Sequence, residues 1–346
     1  MPGKTQALAF PNGRPAEYLP LANEPEFVAS KHLCLEAPKF SRALQDLGYT
    51  SEDISNCESS FAYCSAFRIL SDEGLALMSE VCERIYDNRN SSTGTGANRL
   101  GSYARGAGYR SQFIKDFCDS PELAEHLSSI ANVQLARHSV PAVACGINYA
   151  PDDISKAIDT WHVDSVSFDI VMMLSDPATF SGGEFQIFDG TVREGQQLLG
   201  ISGEEGVANL EGMESSQAAD RQLPQERIIT VPFPAAGYGF LQQGNMIFHR
   251  ACRLLEKAKR MTMIPSFEVM PISAHDATNS INMSGWADPS IRPELARHEI
   301  WRATARLEKL LADVSLDDDD QKLAHGINSA LASLIEFKTN LEDNHQ

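Results

Sequence analysis

The chain has 346 residues, 42% of them hydrophobic, which is enough for one large domain with appendages or for two domains. Its formal charge of −18 at pH 7 repels phosphate backbones and anionic headgroups, arguing against nucleic acid or a membrane surface as a partner. No basic segment followed by an apolar core opens the chain, no apolar run reaches membrane-spanning length, and seven cysteines in no CxxC spacing suggest neither a disulfide framework nor a zinc knuckle. Those features predict a cytoplasmic protein with reduced, mostly buried thiols.

Residues 1–135 read as a mainly helical N-terminal region that packs on the core of the protein. Ser71 caps a helix whose Leu75, Met78, Cys82 and Ile85 share one face, and Ser120-Pro121-Glu122 opens a second. Between them, "SSTGTGANRLGSYARGAGYR" (91–110) trades apolar periodicity for glycine, serine and the arginines Arg99, Arg105 and Arg110, and reads as a loop. In an acidic protein these arginines are candidates to grip a substrate carboxylate, with a solvated loop as the plain alternative.

Residues 136–270 change period. Short runs rich in Val, Ile, Phe and Met ("AVACGINYA", "SFDIVMMLS", "GGEFQIF", "ERIITVPF", "YGFLQQG", "NMIFHRA", "RMTMIPSFEV") alternate with turn residues and predict a β-sandwich or barrel, because helical crossovers are missing. Residues 190–226 are polar, acidic and too long for a hairpin, so they read as an insertion or lid. Residues 271–346 form a C-terminal helical extension. Leu295, Trp301, Leu307, Leu310 and Leu311 mark one helix, and Leu323, Ile327, Leu331, Leu334 and Leu341 mark another. The joining "SLDDDD" has Ser315 and Asp318 at capping-box spacing. The apolar face of this pair covers the sheet or meets a second copy to make a homodimer.

One stretch carries chemistry. In "TWHVDSVSFDIVMMLSD" an extended Thr160–Asp164 would turn His162 and Asp164 to one side, so that an imidazole and a carboxylate converge on one ion. A chance His-x-Asp or His-x-Glu is expected about once in a chain of this size at average composition. The weight therefore falls on His249, at the end of "QQGNMIFHRACR". Two histidines and one carboxylate form the facial triad of non-haem Fe(II) oxygenases, whereas the HExxH spacing of zinc hydrolases is absent. Asp169 competes as a carboxylate, but its parity suggests a turn or a role in orienting a histidine. Arg260 opens the strand "RMTMIPSF" with Thr262 on the same face, a guanidinium fork and a hydroxyl suited to a carboxylate; Lys257 and Lys259 are nearby alternatives.

This pattern resembles the Fe(II)- and 2-oxoglutarate-dependent dioxygenases of prolyl-hydroxylase-like type over about residues 143–268. His162, Asp164 and His249 match the metal ligands, and Arg260 with Thr262 matches the pair that holds the distal 2-oxoglutarate carboxylate. Tyr149 in "INYAPDD" matches a tyrosine that also contacts 2-oxoglutarate in some members, and "SGGEFQIFDG" looks like the Gly-Gly strand of these enzymes. The resemblance implies an α+β fold with a double-stranded β-helix (jelly-roll, cupin-like) core. It also implies Fe(II), 2-oxoglutarate and O2 as cofactor and co-substrates, and oxidation of a C–H bond with release of succinate and CO2. Phe168 is then a candidate wall of the substrate pocket, with Arg105 and Arg110 as candidate substrate contacts. The separation of Asp164 from His249 is longer than usual in the family, and the excess falls in 190–226. A small molecule, an amino acid or a specialised-metabolite intermediate, is the expected substrate, the outcome being hydroxylation, desaturation or cyclisation. The alternatives are a protein side-chain hydroxylase and a non-catalytic cupin-like metal-binding or ligand-binding protein.

Overall fold

Parity along the strands decides the architecture. From Arg260 onward, Arg260, Thr262, Ile264 and Ser266 point into one cavity, while Met261, Met263, Phe267 and Val269 join the apolar core on the opposite face. The computed structural model describes residues 6–91, 100–200 and 223–343, and it combines helices with antiparallel strands in an α+β arrangement.

The strands are β1 (Ser41–Ala43), β2 (Phe61–Cys64), β3 (Phe67–Arg68), β4 (Asn90–Ser91), β5 (Ser102–Ala104), β6 (Leu135–Arg137) and β7 (Cys145–Tyr149), followed by β8 (Asp159–His162), β9 (Phe168–Met173), β10 (Phe185–Phe188), β11 (Ile228–Val231), β12 (Tyr238–Gln242), β13 (His249–Ala251) and β14 (Met261–Val269). A ten-stranded sheet runs β1-β2-β12-β9-β14-β7-β5-β4, with β3 beside β12 and β6 beside β14, and a four-stranded sheet runs β11-β10-β13-β8. Neither sheet closes on itself among the described residues. The two sheets face each other through Phe240 and Phe185, whose rings meet edge-on at 4.9 Å.

The outer face of the large sheet is covered by helices. α1 (Asp72–Tyr86) starts where Ser71 accepts from the Gly74 N–H, as its sequence predicts, and buries Met78, Val81, Cys82 and Ile85. The cap is worth about 1 kcal/mol, and each buried aliphatic side chain about 1.5–3 kcal/mol. α2 (Gln112–Cys118) and α3 (Pro121–Ala131) come next, the latter with Ser120 as cap and proline in its first turn. Residues 1–135 therefore supply this helical layer, but they also contribute β1 to β5 and the first residue of β6. Those strands are two to four residues long, too short for alternation to distinguish them from loop.

The described parts of the insertion pack on the outer face of the small sheet. α4 (Val192–Leu198) leads into Leu199, which with Leu223 joins Trp161, Phe188 and Phe248 in one apolar cluster. The expected lid falls mainly on residues 201–222, which lie outside the described residues.

α5 (Ile291–Asp313) and α6 (Asp320–Asp343) form the expected antiparallel pair. Its near end is anchored by Ile291, Leu295 and Phe337 against Val140, Val143 and Val166. Leu307 and Leu311 were expected on the buried stripe and are instead exposed, Leu311 at 81%, because the far half of the hairpin extends beyond the sheet. No helix among the described residues is long and apolar enough to cross a membrane.

Candidate metal and co-substrate site

The cavity between the sheets has a volume of about 130 Å³ and is lined from both sides. The small sheet contributes His162 at the end of β8 and His249 at the start of β13, which are direct cross-strand partners. Their rings meet at 4.1 Å. Asp164 lies beyond the end of β8, so the convergence is made by a turn and not by continued strand; the Asp164 N–H donates to the Gly244 carbonyl at 3.0 Å.

The ring nitrogens are committed in a way that matters. His162 Nδ1 lies 2.6 Å from the Thr160 carbonyl oxygen, and His249 Nδ1 lies 2.8 Å from that of Ile247. A carbonyl only accepts, so both Nδ1 atoms carry the proton, and Nε2 is the lone-pair atom in each neutral ring. Those Nε2 atoms lie 3.4 and 3.3 Å from Asp164 Oδ1 and Oδ2. Two imidazole lone pairs and a carboxylate facing one another are a donor set that fits a divalent first-row transition metal.

Two further carboxyl groups stand here that sequence reasoning passed over or misjudged. Asp159 Oδ2 is 3.4 Å from His162 Nε2. Asp169 faces the cavity, and it contacts Asp164 and Gln242 instead of orienting a histidine. The turn between His162 and Asp169 resets the parity on which the sequence argument relied. Burial first, and then the neighbouring Asp164, push the Asp169 carboxyl well above its ordinary range.

Arg260 and Thr262, each 2% exposed, line the same cavity. Arg260 Nε donates to the Gly183 carbonyl at 3.1 Å, while Nη1 is buried without a hydrogen-bond partner. Burial lowers its pKa to about 10. A buried guanidinium with an unused donor beside a hydroxyl fits a carboxylate. The Gly-Gly pair has a steric reason here: a Cβ on Gly183, at φ 71°, would come within 2.9 Å of Arg260 Cδ and Nε. Lys257 and Lys259 line a different cleft, where Lys259 pairs with Glu83.

Other expected residues are not brought together. Tyr149 points to the helical side of β7, and its hydroxyl donates to the Cys82 carbonyl at 2.8 Å. Its neighbour Asn148, opposite Thr262 in the register, takes the cavity side. Phe168 likewise points away, packing near Phe61. Arg110 does not line this cavity and sits by the Tyr18 ring, whereas Arg105 does line it, paired with Asp288 at 2.9 Å and lying over Trp286 at 3.5 Å. Arg99 lies outside the described residues. Gln242 was also missed; its signal was a polar residue closing the apolar strand "YGFLQ".

A second histidine and carboxylate cluster, His138, Glu268 and His298, is fully enclosed. Its histidine nitrogens are spent. His138 Nδ1 accepts from the Val140 N–H at 3.2 Å, and its Nε2 lies 3.0 Å from Thr278 Oγ1. His298 reaches Ser139 Oγ at 2.7 Å and Asp276 Oδ2 at 2.9 Å, and Arg302 Nη1 stands 3.5 Å from Glu268. This cluster is a tie between α5 and β14 and does not fit a metal.

No protein-family model and no curated protein sequence matches the chain. Solved structures do resemble it. SnoN, a non-heme α-ketoglutarate-dependent epimerase from nogalamycin biosynthesis, is 14% identical and aligns over 71% of this chain and 92% of its own, with a TM-score of 0.43. SnoK, the carbocyclase from nogalamycin biosynthesis, is 14% identical over 68% of this chain and 90% of its own, with a TM-score of 0.41. A prolyl-4-hydroxylase from Pseudomonas putida is 12% identical over 62% of this chain and 95% of its own, with a TM-score of 0.36.

Proposed function

We propose that this protein is an Fe(II)- and 2-oxoglutarate-dependent dioxygenase with a jelly-roll core at residues 136–270, oxidising an unactivated C–H bond of a small molecule. The observation that carries this reading is the pairing, in one cavity, of two imidazole lone pairs facing a carboxylate with a buried guanidinium that has an unused donor. His162, Asp164 and His249 would hold the iron, and Arg260 with Thr262 would hold the distal carboxylate of 2-oxoglutarate. Iron with 2-oxoglutarate and O2 supplies an oxidant able to break such a C–H bond, with release of succinate and CO2.

The chain's own part is binding. Val143, Ile158 and Val166 give the cavity apolar walls beside the reacting groups. Arg105, fixed by Asp288 and lying over Trp286, adds a rigid polar contact for a substrate. A concave cavity between two sheets supports a small molecule as the substrate.

An anaerobic titration tests the reading. Fe(II) and 2-oxoglutarate together should give a visible charge-transfer band that neither gives alone. His162→Ala should abolish it, and Arg260→Ala should raise the 2-oxoglutarate requirement by roughly 100-fold, the loss of a charge-assisted bidentate contact. Metal bound without such a band would overturn the proposal. Succinate release stimulated by peptides and not by metabolites would move the substrate to a protein side chain.

A further inference from the structure

Three aspartates, Asp159, Asp164 and Asp169, crowd two histidines, and composition alone does not say which carboxylate joins them. Gln242, fully buried on β12, decides it. Its Nε2 lies 3.1 Å from Asp164 Oδ2 and 3.1 Å from Asp169 Oδ1, with Asp169 Oδ2 at 3.4 Å and His249 Nε2 at 3.5 Å. A carboxamide offers two N–H donors on that nitrogen, one for each carboxyl group.

A second observation is steric and independent of the first. A Cβ on Gly244 would fall 2.3 Å from Asp164 Oδ2 and 2.4 Å from Asp169 Oδ2. Any side chain at position 244 would therefore displace one or both of these carboxyl groups. The Gly244 carbonyl also holds the Asp164 N–H, so backbone and side chain of the Gln242–Gly244 turn grip the same residue.

We infer that Gln242, with the space left by Gly244, is a positioning device that selects Asp164 as the third metal ligand and ties down Oδ2, leaving Oδ1 for the metal. This rests on the metal reading of His162, Asp164 and His249. Asp169 is held on the far side of the carboxamide, so it does not replace Asp164.

The test is a Co(II) titration of the metal-free full chain, read by its visible ligand-field bands, without 2-oxoglutarate or O2. Gln242→Met keeps the volume and removes both donors. It should weaken Co(II) binding by roughly 10- to 100-fold, the usual consequence of losing a hydrogen bond to a ligand, and shift the bands at saturation. Gly244→Ala should do the same by displacing the carboxylate, and it carries the test if Gln242→Met does not fold. Wild-type affinity and spectrum in the folded variants, with binding lost in His162→Ala, would overturn the clamp alone. Weaker binding with an unchanged spectrum also overturns it, since a loosened fold would leave the ligand set as it was. A wild-type chain that binds no Co(II) overturns both the clamp and the reading beneath it.

Discussion

Two clusters in this molecule contain two histidines and a carboxylate, and they differ in where the nitrogen lone pairs go. At His162 and His249 each Nδ1 donates to a carbonyl one pleat back, which leaves both Nε2 atoms facing Asp164 beside a cavity. At His138 and His298 all four ring nitrogens are engaged by Val140, Thr278, Ser139 and Asp276, with Arg302 already supplying a cation. Residue type alone would call both clusters metal sites. Hydrogen-bond accounting separates a site from a structural tie.

The sharpest way to break this contrast is to mutate one histidine in each cluster. His249→Ala should lower Co(II) affinity on the order of 10³-fold, about 4 kcal/mol, by removing a direct ligand, while His298→Ala should leave it unchanged in an isothermal titration. Equal losses would end the distinction. Stability should respond the other way round: Arg302→Ala leaves Glu268 and Asp276 buried without their guanidinium and should cost about 3–5 kcal/mol in urea unfolding, with metal affinity retained.

The tie also has a pH signature. Burial, and then the charge of His298, pull the His138 pKa down to about 3, against an unfolded value near 6.5. Between those values the unfolded chain binds the extra proton, so this group makes stability fall as pH drops, by about 2 kcal/mol at pH 5. His298 has the opposite sign. Burial opposes its charge, but Asp276 outweighs burial and raises its pKa, so its contribution is full below the unfolded value and fades as pH rises through the folded one. His138→Asn, which keeps an acceptor for Val140, should flatten the acid limb of the urea midpoint plotted against pH; an unchanged limb would show that other groups set it. The smallest effect is expected at Tyr149→Phe, where loss of the bond to the Cys82 carbonyl should cost roughly 1 kcal/mol and leave 2-oxoglutarate affinity alone.

The misreadings at Tyr149 and Phe168 share one cause. In each, an adjacent residue, Asn148 or Asp169, takes the cavity side, because a pleated strand sends neighbours to opposite faces. Sequence identifies the strand readily, but which face meets the cavity depends on which side the second sheet covers. Helices were legible where caps and apolar spacing coincide, as at Ser71 and Ser120, and illegible in their burial where the hairpin outruns the core, as at Leu311.

By itself the sequence identified the strands of the cavity, the two capped helices, and His162, Asp164, His249, Arg260 and Thr262 as candidates to share one site, because apolar periodicity and residue chemistry are local properties. Only the tertiary structure decided that Gln242 and Asp169 flank Asp164, that Gly183 makes room for Arg260, and that the second histidine cluster is spent on hydrogen bonds. Each of these depends on atoms from strands and helices far apart in the chain, and their distances are set by packing.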